Sequence, residues 1–281
     1  MKIATVIVSY RKGEQLSECI SSLKKSKLNT AENTIIIIDN TKVNLGFAGG
    51  NNKGIQQALE QKADAILLLN DDTKVDTFAI ERLADTLFSD SHIGIVVPKI
   101  YFYPRYEYHK DRYAGIDQGK VIWYAGGSID WNNVVGIHRG VDEVDHGQYD
   151  RQEKVEFATG CCLLIRKEVF QKVGLLDEKY FLYLEDLDFN VRVKQAGYQI
   201  IYEPRAIIWH KNAQSSGSGS ELHDYFFTRN RLLFGMTYAK LRTRFALLRE
   251  AIKLLVSGPL WKKRAVHDFL LGRLGKGSWG K

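Results

Sequence analysis

Cysteine is scarce in this chain: Cys19, Cys161 and Cys162 are the three it has, and two of them are sequence neighbours. Adjacent cysteines pair poorly, so no disulfide framework is expected, and a reducing, cytoplasmic setting fits best. The Cys pair also lacks the spacing of a zinc site. Long apolar runs are missing too. None approaches the ~18 residues that a membrane-spanning helix requires. The opening MKIATVIVSYRKGE has a short apolar stretch and no small-residue cleavage site, so it is expected to be a first strand rather than a signal peptide. There are no internal repeats. The glycine-rich segment NLGFAGGNNKG (44–54) is neither a GxGxxG fingerprint nor a GK[ST] phosphate loop.

The composition that remains is ordinary for a soluble globular protein. Of 281 residues, 44% are hydrophobic and 26% charged. This is enough for one large α/β domain or two closely joined halves. The net charge of +7 is unevenly placed. Residues 221–281 hold thirteen Lys/Arg against four Asp/Glu, whereas the rest of the chain holds 27 against 29.

The first hundred residues alternate. Apolar, β-branched runs at 2–9, 34–39, 64–69 and 93–98 read as strands. Helical spacing fits 14–25, about 50–61, and 77–88. Near-continuous apolar strands between helices predict a parallel sheet covered on both faces. Ligands of such sheets bind beyond the carboxyl ends of the strands. Asp39 and Asn70-Asp71-Asp72 fall at that edge. Residues 100–155 are rich in Tyr, Trp, Gly and His, and read as an irregular excursion with short antiparallel strands. Strand character returns at 157–165, helix at 166–173, and a strand, Pro turn and strand at 198–209. The Gly/Ser tract at 214–220 reads as a flexible linker or as a lid beside the site. Helical patterns follow at 222–256 and 260–274.

Three clusters carry chemistry. Asn70-Asp71-Asp72 follows a buried strand. Adjacent acids there can be turn or capping residues, or oxygen ligands for Mg2+ or Mn2+ bridging a diphosphate. NLGFAGGNNKG (44–54) has glycines that permit close backbone approach, with a helix start whose N–H groups suit an anion or ribose. YLEDLDFNVRV (183–193) sets Glu185, Asp186 and Asp188 among aromatic and aliphatic residues. Such surroundings raise a carboxyl's proton affinity and suit general-base work, although a solvated acidic helix start is the plainer alternative. His210 ends a strand near both clusters and has the chemistry of a metal ligand.

The segments VIVSY (6–10), IIIIDN (35–40), NLGFAGGNNKG, LLLNDDT (67–73), TGCCLLIRKEVFQKVGLLDEKYFLYLEDLDF (159–189), AIIWH (206–210) and TRNRL (228–232) occur together and in order. With them the chain resembles the family 2 glycosyltransferases, inverting enzymes of the GT-A fold, and most closely their bacterial rhamnosyltransferase-like branch. The resemblance implies an α/β fold with a mostly parallel central sheet flanked by helices and a C-terminal helical extension. It implies a nucleotide-sugar half at 1–98, an acceptor-binding and catalytic half at 99–220, and a basic extension at 221–281. Tyr10 and Asp39 would contact base and ribose. Gly46, Phe47, Gly49, Asn51, Asn70, Asp71 and Arg229 would surround the donor. Asn70 stands at the first position of the family's DXD motif, so Asp72 is the expected direct ligand of Mg2+ or Mn2+, joined by His210. Asp186 would be the general base, with Glu185 and Asp188 supporting it or touching the acceptor. The implied partners are dTDP-rhamnose or a UDP-sugar and a bacterial glycan or lipid-linked acceptor. The competing readings are a sugar nucleotidyltransferase and an inactive glycan-binding relative. The first would want a Gly-rich basic loop after strand one, where SYRKGEQLSE has a single Gly.

The basic tail at 222–274 interleaves Lys and Arg with Leu, Phe, Ile and Trp. It reads as a helical appendage or as a patch for an anionic membrane on the inner face of the cell, with Trp261-Lys262-Lys263-Arg264 as the interfacial anchor. No nucleic-acid partner is expected, since no recognised binding motif accompanies the charge.

Overall fold

The computed structural model describes residues 1–10, 13–29, 31–211 and 219–280. The Gly/Ser tract read as linker or lid lies largely outside them. The chain opens as β1 (Lys2–Ser9), α1 (Glu14–Lys24), β2 (Glu32–Asp39), α2 (Gly46–Glu60), β3 (Ala65–Asn70), β4 (Thr73–Val75), α3 (Ala79–Ser89) and β5 (Ile93–Phe102). An irregular stretch follows, carrying β6 (Ile122–Tyr124), β7 (Gly127–Asp130), β8 (Val135–His138) and β9 (Glu153–Lys154). Then come β10 (Cys162–Arg166), α4 (Lys167–Val173), α5 (Glu185–Gln195), β11 (Gln199–His210), α6 (Glu221–Tyr238), α7 (Leu241–Ser257) and α8 (Leu260–Leu270).

The main sheet runs β2-β1-β3-β10-β5-β11-β4. β1 is parallel to β2 and β3, and β5 is parallel to β11. β10 runs against both β3 and β5, so those five strands all point one way. β4, β6 and β9 are antiparallel additions. The expected parallel sheet is therefore mostly parallel. β5 passes through residue 98 without a break, so both halves of the molecule share one sheet. The core strands read as continuous aliphatic runs because both their faces are covered: Ile66, Leu67, Leu68 and Leu69 are all at most 2% exposed.

Three local differences from the sequence reading have physical causes. First, β11 is one strand through Pro204, with a bulge between Glu203 and Ile207. A bulge tolerates the missing N–H. Second, α2 begins at Gly46, not near residue 50. Asn40 and Asn44 side chains accept from the Leu45 and Gly46 N–H groups at 2.9 Å each. Gly50 and Gly54 let α2 lie close on β1, since a Cβ there would come within 2.6 Å of Val8 and 2.2 Å of Val6. Third, the helical pattern at 222–256 is two helices, divided at Ala239–Lys240. Helix α6 starts at a Ser220 cap that accepts from the His223 N–H.

Candidate active site

The carboxyl ends of the five co-directed strands bring together Ser9, Asp39, Asn70 and His210. After β3 the chain makes a tight turn, with the Thr73 hydroxyl donating to the Asn70 carbonyl at 2.7 Å. The turn exposes Asn70 in part and leaves Asp71 half-buried. It sends Asp72 inward, where it is 3% exposed. Burial raises the Asp71 carboxyl, with the Asp72 charge adding to it, while the Ser9 hydroxyl bonds to Asp71 and pulls the other way. Asp72 Oδ1 lies 3.1 Å from His210 Nε2. The His210 ring stands edge-on to Trp123, with centroids 4.6 Å apart, and its buried Nδ1 has no hydrogen-bond partner. Beyond Trp123 lies His138, whose burial pushes its pKa down to about 4, so it is neutral near pH 7.

The second acid cluster opens α5. Asp186 Oδ2 accepts from the Gly160 N–H and Oδ1 from the Leu187 N–H, each at 2.8 Å. Burial raises the Asp186 carboxyl, and these two N–H groups oppose the shift. Glu185 is 4% exposed, and its Oε2 has no partner. Burial, then the charge of Asp186, holds Glu185 well above the usual carboxylate range. Two adjacent carboxyls in such a site titrate as a pair.

Gly160 joins the clusters. Its N–H bonds Asp186, and the carbonyl of the next residue, Cys161, accepts from the Asn70 N–H at 2.9 Å. A Cβ on Gly160 would also meet the Phe47 ring at 3.0 Å. The site is thus bounded by Asn70–Asp72, His210, Gly160, Phe47 and Asp186. The Cys thiols nearby are buried and free, without a disulfide.

Several sequence expectations change here. Asp188 does not join Asp186. It is buried, taking a hydrogen bond from the Tyr238 hydroxyl at 2.8 Å and an ion pair from Arg192 at 2.8 Å. It ties α5 to α6. Arg229 is fully buried rather than poised over a donor, and its guanidinium donates to the carbonyls of Lys179 and Tyr180. Beside it, Asn230 Nδ2 reaches the carbonyls of Tyr180, Leu182 and Tyr183 at 2.8 Å each. That loop holds Phe181, Tyr183 and Leu184 at positive φ, from 65° to 71°. Asn230 is a positioning residue that motif reading missed, because its partners lie nearly fifty residues away.

The glycine-rich segment also differs. Gly46 has φ +72°, and a Cβ there would fall 2.3 Å from the Phe181 carbonyl oxygen. That oxygen accepts from the Phe47 and Ala48 N–H groups. The start of α2 therefore does not present those N–H groups to an anion. Gly49 and Asn51 are buried, with Asn51 Nδ2 bonded to the Phe47 carbonyl. Phe47, half-buried, is the residue of the segment that faces Asp186's neighbour Gly160. Tyr10 is 54% exposed at the rim, and Asp39, also exposed, accepts from the Thr41 N–H. Glu185 and Asp186 open α5 beside Gly160, and Asp72 pairs with His210. A separate cavity of about 910 Å³ lies on the other side of the sheet, lined by Lys74, Tyr101, Lys120, Arg205 and Trp209, and none of the site's acids lines it. Trp209 and His210 are strand neighbours and point to opposite faces.

This architecture matches glycosyltransferases of GT-A type. A structure titled GalNAc-T7 with UDP, GalNAc and Mn2+ aligns over 96% of this chain and 58% of its own, with a TM-score of 0.57 and 15% identity. A mannosyltransferase from Pyrobaculum calidifontis, in complex with GDP-Man and Mn2+, aligns over 99% and 76%, with a TM-score of 0.50 and 11% identity. At such identity they speak for the fold. The family model described as "Glycosyltransferase like family 2" matches residues 37–232, and the chain belongs to that family. The N-acetylglucosaminyl-diphospho-decaprenol L-rhamnosyltransferase of Mycobacterium tuberculosis is 39% identical over 80 residues, 26% of either chain. Hexosyltransferase Agl10 of Haloferax volcanii is 22% identical over 218 residues, 70% of this chain and 63% of its own. The dTDP-rhamnosyl transferase RfbF of Shigella flexneri is 24% identical over 198 residues, 68% and 60%. The chain thus spans less than two thirds of the length of these relatives.

Proposed function

We propose that the protein transfers a sugar, with inversion, from a nucleotide-sugar donor to a hydroxyl of a bacterial glycan or lipid-linked acceptor. The observation that carries this reading is Asp186, raised by burial and fixed by the Gly160 N–H on the same sheet edge as the Asp72–His210 pair. In this reading residues 1–98 hold the nucleotide, 99–220 the acceptor and chemistry, and 221–281 buttress the site.

Asp186 takes the proton of the acceptor hydroxyl. As that oxygen bonds to the anomeric carbon, the bond to the diphosphate breaks, and the nucleoside diphosphate leaves with the electron pair. Attack opposite the leaving group inverts the centre, with no covalent enzyme intermediate. Phe47 and Gly160 wall the sugar, and Tyr10 and Asp39 at the rim serve base and ribose. Glu185 lies buried next to Asp186, and burial together with the Asp186 charge raises its own carboxyl.

The donor set fits a divalent cation. A carboxylate and an imidazole converge, with Asp72 Oδ1 3.1 Å from His210 Nε2. Among the described residues no group of three or more His, Cys, Asp or Glu could enclose a metal ion. Two protein ligands leave room for phosphate oxygens and water, as Mg2+ or Mn2+ prefers at such sites. When bound there, the cation would supply charge neutralisation for the departing diphosphate.

The relatives named as rhamnosyltransferases support dTDP-rhamnose as first donor, and UDP-sugars stand second. A decaprenol-linked substrate in one relative's name supports a lipid-linked acceptor and work at the inner membrane face. No helix among the described residues is long and apolar enough to cross a membrane. The test is a panel of nucleotide sugars assayed for acceptor-dependent release of nucleoside diphosphate. Release with none of them, in the presence of Mg2+ or Mn2+, refutes the proposal.

A further inference from the structure

Helix α7 is apolar on two sides. Thr243, Leu247 and Ala251 face inward and are buried, and Leu254 packs on the core beside them. On the outer side, Leu241, Phe245, Ile252 and Val256 are 64–75% exposed, and Leu255 is 36% exposed. Leu248, half-buried, lies between them. At 3.6 residues per turn these six fill an arc of roughly 100°. Arg242, Arg249 and Lys253 occupy one flank of that arc. Arg244 borders the other, its guanidinium turned onto the carbonyls of Ala239 and Thr237. Past Gly258 and Pro259, Leu260 continues the apolar side and is 61% exposed.

A soluble surface rarely carries a contiguous stripe of this kind without a partner. We propose that the outer face of α7 docks on a lipid bilayer containing anionic lipid, with the apolar arc in the interface and the flanking cations on headgroup phosphates. The charge selects this occupant. Residues 239–264 hold eight Lys/Arg, of which Lys262 is paired with Asp224, and one acid, Glu250, which is paired with Arg231. A second copy of the chain, meeting α7 about a two-fold axis, would set like-charged flanks against each other. Carrying Arg242, Arg244, Arg249 and Lys253 and packed on the core along its inner side, α7 lies on the bilayer instead of crossing it.

The Trp261 anchor expected from sequence is not this surface. Trp261 packs on Trp279 and Tyr225, with Trp261–Trp279 centroids 4.5 Å apart. Lys262 is paired with Asp224, and Lys263 donates to the Val256 carbonyl.

The inference deepens the proposed lipid-linked acceptor, yet its test needs no sugar chemistry. Co-sedimentation compares phosphatidylcholine vesicles with vesicles that also contain phosphatidylglycerol. The wild-type chain should pellet with the anionic vesicles only. Phe245→Ser with Ile252→Ser should weaken binding by at least about tenfold. Arg249→Gln with Lys253→Gln should abolish the preference for anionic lipid and its salt sensitivity. These positions are exposed, so folding is retained; Leu241→Ser with Val256→Ser is the second apolar pair should the first misfold. Wild-type protein left in the supernatant, or variants that bind as wild type, would overturn the proposal. A lipid-free dimer that Phe245→Ser converts to monomer would also overturn it, making the face a subunit interface. Transfer to a water-soluble acceptor should be unchanged in all variants, which separates failure of docking from failure of the transfer reading.

Discussion

Replacing Asn230 by Ala tests how the loop before α5 is held. The Nδ2 group lies 2.8 Å from three main-chain carbonyls of residues 180–183, and Oδ1 accepts from Arg229 Nε and Nη2 at 3.0 and 2.9 Å. Without it, the Leu182 and Tyr183 carbonyls lose this donor at about 1–3 kcal/mol each, while the Tyr180 carbonyl keeps Arg229 and the Leu182 N–H. The loop has a way out. Phe181, Tyr183 and Leu184 are left-handed, and holding each there costs roughly 1–2 kcal/mol. Relaxation of that strain offsets part of the loss, so the net destabilisation is about 2–3 kcal/mol. In a chain of this size that lowers Tm by about 5–10 °C. The relaxation also moves Leu184, the residue before α5, and with it Asp186. A displacement of about 1 Å costs on the order of a hundredfold in rate. The expected result is therefore a modest fall in Tm with a large fall in kcat and little change in donor affinity. Calorimetry and nucleoside-diphosphate release measure the two effects. Lowered Tm with wild-type kcat would show that the clamp serves stability alone, and wild-type values of both would refute the loop argument outright.

Asp186→Asn should abolish transfer while nucleotide-sugar binding, measured by calorimetry, stays near wild type; retained turnover removes Asp186 as the base. Because burial raises Glu185 and Asp186, the acid limb of the rate profile should lie above the ordinary carboxylate range, and a limb near pH 4 contradicts that. The same shift has a stability sign. A raised folded-state pKa contributes stability fully below the unfolded value of 4.5, and that contribution is lost as pH rises through the folded one. Glu185→Gln should therefore melt higher than wild type above pH 7 and equal it near pH 4, and the reverse order would be decisive against a buried, unpartnered carboxyl. EDTA should stop transfer, with Mg2+ or Mn2+ restoring it, and His210→Ala should raise the cation concentration required; transfer unaffected by EDTA removes Asp72 and His210 as ligands.

The sequence made β1, β2, β3 and β5 readable because strands covered on both faces are continuous aliphatic runs. Asp72, His210 and Asp186 could also be singled out, since they lie in the turn after β3, at the end of β11 and in the first turn of α5. Other features depend on contacts that local pattern does not encode. Pro204 reads as a turn, and only pairing with β5 through the bulge keeps β11 whole. Leu45 is no polar cap, so the early start of α2 had to come from Asn40 and Asn44. Gly160 is silent until β10, reversed between β3 and β5, carries it to the edge where Asp186 and Asn70 both bond to its segment. Asp188 and Arg229 sit in motifs beside functional residues, and proximity in sequence said nothing of the direction they face.

The Phe181 carbonyl joins the start of α2 to the loop before α5 through main-chain atoms alone. A side-chain scan is blind to such a joint: truncating Phe181 or Phe47 leaves the carbonyl and the N–H groups in place. The one handle is Gly46, where an added methyl would collide with that oxygen. In a saturation library, intolerance at residue 46 would therefore be the mark of a backbone hinge pin, whereas an alanine variant at 181 would report the buried ring stacked on Phe226 and leave the joint out.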